Sequence, residues 1–187
     1  MKVLGISGSP KRRGNVEALL DKALEGAESE GAKGSKIILN ELNFKPCQEC
    51  VGCEEIGECV IEDDMQTVYD EIENADAVII ATPIFFGSLS AQVKMMVDRF
   101  QCLWVQKYVL KRALTRPRRK GALLCVSGKK NKDFFENAKA IIKIFFTTLD
   151  IDYTNELFFT SLDKSALNTR NEALKKAFTL GRSLASS

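Results

Sequence analysis

Five short apolar segments alternate with helical patterns along this chain, and the alternation restricts its fold more than any other feature. We predict strands at residues 2–7, 36–39, 77–81, 122–126 and 152–159. Helical patterns occupy residues 16–30, the stretch from the caps Asp63 and Asp64 to residue 74, and residues 91–114, 133–149 and 171–184. Because right-handed crossovers pack each connecting helix against the sheet, this order predicts an α/β fold with a parallel sheet covered on both faces.

The chain is predicted to form one domain over residues 1–187. This length suffices for a substantial core, and neither a repeat nor a low-complexity linker divides the sequence. A cysteine-rich loop over residues 44–62 is predicted to be an insertion within that domain.

Composition and charge exclude several classes of function. Hydrophobic residues make up 45% and charged residues 28%, as in globular proteins, and a formal net charge of +2 gives no field that would attract nucleic acid. The sequence contains no histidine, which excludes serine–histidine and cysteine–histidine hydrolases. A function that moves electrons rather than protons fits this composition.

The N-terminal region and the longest apolar run indicate where the protein works. The strand-like run Val3–Ile6 follows the N-terminus directly, without the layout of a secretory signal. The run Ala77–Leu89 contains Pro83 and Gly87 and is too short to span a bilayer. We therefore expect a cytoplasmic protein without a membrane or nucleic-acid partner.

Four cysteines lie within thirteen residues: Cys47, Cys50, Cys53 and Cys59. A single loop has no core that could hide so many thiols, and in a reducing compartment close-set cysteines are more often metal ligands or catalytic thiols than disulfides. Their spacing suits an iron–sulfur cluster, because structural zinc sites commonly consist of two separated pairs. Zinc and free redox thiols stay open as alternatives. Cys102 and Cys125, in apolar surroundings, are predicted to be core residues.

The first predicted strand leads into the loop Ser7–Asn15, which opens the first helix. Backbone amides at a helix N-terminus, with serine hydroxyls and Asn15, would bind a phosphate dianion, assisted by Lys11, Arg12 or Arg13. The loop lacks the ending of a P-loop and the three spaced glycines of a dinucleotide fold. It indicates a monophosphate held mostly by neutral donors, and a plain strand-to-helix turn is the alternative.

The third predicted strand ends in the loop Thr82–Ser88, at the sheet edge where open α/β folds bind ligands. Phe85 and Phe86 offer planar surfaces, and Gly87 permits a close backbone approach. A third loop, residues 127–130, would close the same pocket. A planar heterocycle on a monophosphate tail suggests flavin mononucleotide (FMN).

Three motifs resemble those of the flavodoxin-like NADPH-dependent FMN reductase superfamily: GSPKRRGN, CQECVGCEEIGEC leading into VIEDDM, and ATPIFFGSLSAQVKMMVDR. The cysteine spacing is similar to that of the iron–sulfur flavoproteins within it. The resemblance implies a five-stranded sheet in the order 2-1-3-4-5, with FMN at the strand ends and a [4Fe–4S] cluster beside the flavin. It also implies a homodimer or homotetramer with both groups at subunit contacts.

The resemblance also assigns residues to these groups. The FMN phosphate would be held by a loop that includes Ser7, Ser9, Pro10, Lys11, Asn15 and Val16. The ribityl chain and ring would face Pro83, Ile84, Phe85, Phe86, Gly87 and Ser88, and the site would be closed by Ser127 and Gly128. The cluster would be bound by Cys47, Cys50, Cys53 and Cys59. This chain departs from many relatives at Val16, Lys11 and Phe85, where threonine, arginine and tyrosine are common, and these changes would retune flavin binding.

The first hypothesis for the function is an oxidoreductase that passes electrons between FMN and a [4Fe–4S] cluster. Its electron donor would be a ferredoxin or NAD(P)H, and its acceptor a small molecule. The second is an NAD(P)H-dependent FMN or quinone reductase without a cluster. The third is a zinc-stapled binding module that is not an enzyme.

Two further features receive alternative interpretations. The run Lys111–Lys120 carries six basic residues in ten. It is either a solvated helix end or a surface that docks an acidic partner or a nucleotide phosphate. Trp104 is either a core residue or part of a subunit contact that covers a neighbouring flavin.

Overall fold

A computed structural model describes residues 1–112, 117–129, 131–162 and 167–186. The strands are β1 (Lys2–Ser7), β2 (Lys33–Ile38), β3 (Ala77–Phe85), β4 (Ser88–Leu89), β5 (Arg119–Ser127) and β6 (Ile151–Thr160). Five of them are parallel and hydrogen-bonded in the order β2-β1-β3-β5-β6, while β4 returns antiparallel to β3. With β4 set aside, this is the predicted order 2-1-3-4-5, and the flavodoxin-like α/β fold is confirmed.

Seven α-helices lie in the described part of the chain. They are α1 (Asn15–Glu28), α2 (Cys53–Ile56), α3 (Met65–Glu73), α4 (Ala91–Arg99), α5 (Gln101–Trp104), α6 (Lys132–Thr148) and α7 (Leu167–Ala185). A 3-10 turn follows β2 at Leu39–Glu41, and a π-helical turn follows α5 at Val105–Val109. Within the described ranges, every helix is too short or too polar to cross a membrane.

Helices cover both faces of the sheet, which explains why the central strands are apolar throughout. Successive side chains of a strand point to opposite faces, so each face needs its own apolar layer. Ile79 and Leu124 belong to the layer under α1 and α7. Ile80 and Leu123 belong to the layer under α3, α4 and α6. Because helices cover both faces of the sheet, we expect a ligand to bind at an edge of the sheet.

The helix predicted over residues 91–114 is interrupted. Helix α4 ends at Arg99, α5 ends at Trp104, and the π-helical turn ends at Val109; residues 113 and 114 lie outside the described residues. The break falls at Phe100, whose buried ring packs edge-on against Tyr69 and Phe145. A single amphipathic period does not reveal where a helix changes its packing partners, so the sequence alone predicted one helix.

Strand β3 is four residues longer than predicted and ends in a tight hairpin rather than in an open loop. Pro83 indicated a break because proline has no N–H for a sheet. However, β1 pairs with β3 only as far as Ser7 and Ala81, so the proline lies beyond the end of that neighbour. On its other side β3 continues to pair with β5, where Pro83 is opposite Val126.

Candidate functional site

The loop between β1 and α1 is held in shape by one of its own hydroxyl groups. Ser9 accepts a hydrogen bond from the Lys11 amide at 3.2 Å and donates one to the Lys11 carbonyl at 3.1 Å. Helix α1 starts after Gly14, which has an extended backbone and no side chain with which to cap the first turn. The amides of that turn, together with the helix dipole, are therefore suited to an anion.

Glu17, a buried carboxylate in the first turn of α1, fixes the backbone of this loop. It accepts a hydrogen bond from the Arg13 amide at 2.5 Å and forms ion pairs with Lys36 at 3.1 Å and Arg12 at 3.4 Å. The Arg13 amide lowers the pKa of Glu17 and, with Lys36, outweighs the opposite effect of burial. The two cations offset a negative charge that would otherwise oppose an anion at this helix end.

The hairpin of β3 and β4 turns through two residues, Phe86 and Gly87. Phe85 pairs with Ser88 across the turn, and the turn residues have φ of 49° and 77°. Two-residue hairpins favour such positive φ values, and Asn or Gly usually supplies them. Phe86 is instead a bulky aromatic residue, fully exposed at the tip. An exposed ring held in a strained backbone conformation points to a role in binding rather than in folding.

Helix α6 supports the hairpin from the side. Asn137 donates its amide N–H to the Gly87 carbonyl at 2.8 Å. The Phe134 ring lies so close to Gly87 that a Cβ there would approach it to 3.1 Å. The start of α6 and the tip of the hairpin therefore form one wall.

A cavity of about 590 Å³, here called the strand-end cavity, lies between the three loops. It brings together eleven of the fourteen predicted FMN-site residues: Ser9, Lys11, Asn15, Val16, Pro83, Ile84, Phe85, Phe86, Gly87, Ser127 and Gly128. The loops that follow β1, β3 and β5 thus meet as expected for the carboxyl ends of parallel strands.

Three predicted residues do not line the strand-end cavity. Ser7 is buried at the end of β1, and Pro10 is exposed in the following loop. Ser88 is paired with Phe85 in the hairpin. Four other residues line the cavity: Gly14, Val126, Lys129 and Phe134. The signal that could have found Phe134 is its position at the start of the helix that follows the third loop.

The four cysteines of the motif line a second cavity of about 650 Å³, here called the cysteine cavity. Cys47 and Cys50 are exposed, whereas Cys53 and Cys59 are half-buried. Burial raises the pKa of Cys53, and the nearby thiols of Cys59, Cys47 and Cys50 reinforce the rise, so the four sulfurs lie within electrostatic reach of one another. Among the described residues, no three Cys, Asp or Glu side chains converge on a point that could hold one metal ion.

The remaining cysteines are buried, as predicted, but they differ in position. Cys125 lies in β5, inside the layer under α6. Cys102 lies on α5 and lines the cysteine cavity next to the four motif cysteines. The sequence did not indicate this fifth thiol, because it is contributed by an element 43 residues after Cys59.

Arg99 holds the cysteine segment in place, a role that no pattern in the sequence indicated. Its side chain is fully buried at the end of α4 and pairs with Asp63 at 2.6 Å. It also donates to the carbonyls of Lys45 and Ile61, which flank the motif on either side. Asp63 accepts from the Met65 amide at the start of α3, while Asp64 instead accepts from the Asn43 amide. Only one of the two predicted caps therefore acts on the helix.

The two cavities lie at opposite ends of α6. The strand-end cavity contacts Phe134, near the start of this helix, and the cysteine cavity contacts Ile144, near its end. These residues are about 15 Å apart along the helix axis. The two cavities have no lining residue in common. Within one chain, the cysteines are therefore not beside the predicted flavin site.

Arg112, Arg118 and Trp104 are exposed, whereas the basic run ends in β5, where Arg119 and Lys120 are half-buried. Arg112 donates to the Ile56 carbonyl at 2.7 Å and Arg118 pairs with Asp152 at 2.8 Å, so these two residues have structural partners. The middle of the run, residues 113–116, lies outside the described residues. Trp104 is 41% exposed and lines the cysteine cavity, which excludes a role as a core residue within one chain.

The sequence profile of one family, described as NADPH-dependent FMN reductase, matches residues 1–134. This match covers more than two thirds of the chain and includes all three loops of the strand-end cavity. The chain belongs to the NADPH-dependent FMN reductase family. It is thus a member of a family of flavin-dependent oxidoreductases, and its curated relatives include proteins named iron–sulfur flavoprotein.

Two curated relatives of this chain are named iron–sulfur flavoprotein. One, from Methanosarcina thermophila, is 35% identical over 70% of this chain and 65% of its own length. The other, from Methanocaldococcus jannaschii, is 41% identical over 53% of this chain and 51% of its own length. The chain therefore matches about half to two thirds of the length of these relatives.

A solved structure with the same fold is the NAD(P)H:quinone oxidoreductase from Methanothermobacter marburgensis. It superposes with a TM-score of 0.76 over 100% of this chain and 97% of that chain, at 21% identity. At this identity the likeness establishes the fold alone.

Proposed function

We propose that this chain is an oxidoreductase that binds FMN in the strand-end cavity and a [4Fe–4S] cluster at the four motif cysteines, and that electrons pass between them. The observation that carries the proposal is that one chain of this family places three loops around a strand-end cavity and four thiols around a second one. When bound, a flavin takes up two electrons and releases them singly, whereas a cluster exchanges one.

The strand-end cavity fits FMN in both its polar and its aromatic parts. The uncapped first turn of α1, with Ser9 and Lys11, would bind the phosphate. The backbone of the Pro83–Gly87 segment would face the ribityl chain and ring edge. Phe85 and Phe86 would exclude water from one side of the ring, which accounts for their exposure without a ligand. Ser127 and Gly128 would close the site.

The cysteine cavity fits a cluster by the chemistry of its donors. Cys47, Cys50, Cys53 and Cys59 supply the four thiolates that such a cluster requires. Two carboxylates of the cysteine segment, Glu49 and Glu54, line the same cavity. The curated relatives support this choice, since their names refer to iron and sulfur.

Because the two cavities are separated within one chain, we propose that a second copy brings its cysteine cavity to the strand-end cavity of the first. The proposal is supported by large apolar side chains that remain exposed at both cavities. Trp104 and Ile144 are 41% and 69% exposed beside the cysteines, and Phe86 is fully exposed at the other cavity. Surfaces of this kind commonly mark protein contacts. A homodimer or homotetramer would bury them.

A second candidate function is an NAD(P)H-dependent reductase of FMN or quinones that uses the strand-end cavity without a cluster. It is favoured by the absence, in the described residues, of a converging metal site. In both cases we propose NAD(P)H or a ferredoxin as the electron donor and a small molecule such as a quinone as the acceptor. A single domain over residues 1–187, working in the cytoplasm, belongs to the same proposal.

Anaerobic purification followed by assays for flavin, iron and acid-labile sulfide tests the proposal. We expect about one FMN and four irons per chain in the wild type. Cys59→Ser should lose most of the iron and keep the FMN. The matched control Cys125→Ala, at a buried cysteine outside both cavities, should keep both. FMN without iron in all three proteins would favour the reductase without a cluster, and zinc without FMN would contradict both functions.

A further inference from the structure

Arg99 is fully buried, and four of its five N–H groups are already used. Its terminal nitrogens donate to the carbonyls of Lys45 and Ile61 at 2.8 and 3.1 Å. They also donate to the two carboxylate oxygens of Asp63 at 2.6 and 3.1 Å. A guanidinium has five N–H donors, so only the Nε–H remains. Among the residues that the structure describes, this buried nitrogen has no hydrogen-bond partner.

The Cys59 thiol lies two residues before Ile61, whose carbonyl accepts a hydrogen bond from Arg99. Burial lowers the pKa of Arg99, but Asp63 together with Tyr69 and Cys59 raises it above its ordinary value overall. Arg99 and Cys59 also line the same cavity. A buried N–H without an acceptor destabilises the fold, whereas an anionic acceptor forms the stronger class of hydrogen bond with it.

We propose that Arg99 is a positioning residue of the cysteine site, which donates its Nε–H to the Cys59 sulfur when that sulfur is a cluster ligand. The inference rests on the proposed [4Fe–4S] cluster. Arg99 holds both ends of the cysteine segment, through Lys45 and Ile61, and keeps one buried donor without a partner while it lines the same cavity as Cys59. Asp63 fixes the plane of the guanidinium, because it accepts from both terminal nitrogens.

This arrangement has an electrochemical consequence. Hydrogen bonds to ligating sulfurs and nearby charges are among the factors that set the reduction potential of an iron–sulfur cluster. A cluster becomes more negative when it is reduced, so an N–H donor at its sulfur stabilises the reduced form. Arg99 therefore raises the reduction potential. A purely structural arginine would stabilise the loop and leave the potential unchanged.

Three variants, reconstituted anaerobically as full-length protein, separate the two roles. Arg99→Lys keeps the charge and removes the Nε–H, and Arg99→Gln removes both. Arg112→Gln is the matched control, because Arg112 is an exposed arginine that donates to the Ile56 carbonyl of the same segment. Iron is measured for each protein, and the potential is measured by titration with detection of the paramagnetic reduced cluster. We expect a lower potential in both Arg99 variants and the wild-type potential in the control.

A measurement on the wild type decides the question if the Arg99 variants do not fold. Protein labelled with ¹⁵N-arginine is reduced, and hyperfine spectroscopy detects nitrogen nuclei that are hydrogen-bonded to the cluster ligands. We expect a ¹⁵N coupling in the wild type and in Arg112→Gln. A wild type without iron would overturn the proposed function and this inference together. Iron with an unchanged potential in the Arg99 variants, or a wild-type cluster without ¹⁵N coupling, would overturn the role of Arg99 alone.

Discussion

Phe86 has a backbone conformation that is unfavourable for an aromatic residue. Its φ of 49° is a conformation that Asn and Gly adopt far more readily than an aromatic residue, and its side chain is fully exposed. Phe86→Asn should therefore raise the free energy of unfolding of the apo-protein by about 1 kcal/mol. The same change should weaken FMN binding. Urea unfolding and a flavin fluorescence titration measure the two effects, and an unchanged or lower stability would contradict the strain argument.

The neighbouring residue should respond in the opposite direction. Gly87 has a φ of 77°, and a Cβ at this position would approach the Phe134 ring to 3.1 Å. Gly87→Ala should lower the free energy of unfolding by about 1–2 kcal/mol and displace the wall that Phe134 forms. The expected result is a lower urea midpoint together with weaker flavin binding. If the alanine variant were as stable as the wild type, the turn would not need a glycine.

Glu17, which fixes the loop between β1 and α1, makes the stability of the fold depend on pH. Its pKa in the folded protein is lowered from the ordinary 4.5, chiefly by the Arg13 amide. A group with a lowered folded pKa stabilises the fold above its unfolded pKa, and this contribution is lost as the pH falls through the folded pKa. Glu17→Gln should therefore cost about 1 kcal/mol at pH 7 and progressively less below pH 4.5. Urea unfolding of the wild type and the variant at pH 7 and below pH 4.5 measures the difference in their free energies of unfolding. A difference that does not change with pH would contradict the role given to Glu17.

At the scale of elements, helices α1 and α7 cross at very short range. A Cβ at Gly181 of α7 would lie 1.7 Å from the Ala23 carbonyl oxygen of α1. Alanine is the better helix former, yet Gly181→Ala should lower the free energy of unfolding by about 2 kcal/mol, because two backbones must move apart. Lys176→Ala, at an exposed position of the same helix, is the control and should change stability by less than about 0.5 kcal/mol. Equal stability of the two variants would show that the helices are not in close contact.

The sequence predicted the elements that depend on an apolar period and missed those that depend on tertiary partners. The predicted runs at residues 77–81 and 122–126 are apolar throughout, so the layers on both faces of the sheet could be predicted, whereas the strand order was implied by the resemblance to a known family. The break at Phe100 and the tight turn at Phe86 could not, because the break depends on Tyr69 and Phe145 and the turn is supported by Asn137, all of them distant in sequence. Arg99 is the clearest case. Its sequence neighbours do not distinguish it from a solvent-exposed arginine of a helix, and only the tertiary fold buries its side chain.

The same distinction applies to the candidate site. Its three loops could be predicted because each of them follows a strand, whereas the residues that line the strand-end cavity could not all be predicted. Ser7, Pro10 and Ser88 belong to the right segments but do not line the cavity. Phe134 comes from a helix whose position depends on packing. The bound groups and the roles of the residues stay predictions.

At the scale of the whole molecule, separated cavities require a second copy if electrons are to pass between the proposed groups. Ile144 is 69% exposed at the end of α6 that contacts the cysteine cavity. Ile144→Asp should dissociate the oligomer and slow cluster reduction, without loss of iron. Light scattering after gel filtration measures the mass of the particle. Lys175→Asp, exposed on a helix of the opposite layer, is the control and should leave the mass unchanged. A wild type that is a monomer and still reduces its cluster rapidly would contradict this arrangement.

The central claim is that one chain carries both a two-electron and a one-electron group. An anaerobic reductive titration tests it most directly, because it counts the electrons that each chain accepts. We expect about three electrons per chain in the wild type and about two in Cys59→Ser, with the flavin absorbance bleached in both. Uptake of about two electrons by the wild type, equal to that of the variant, would contradict the account.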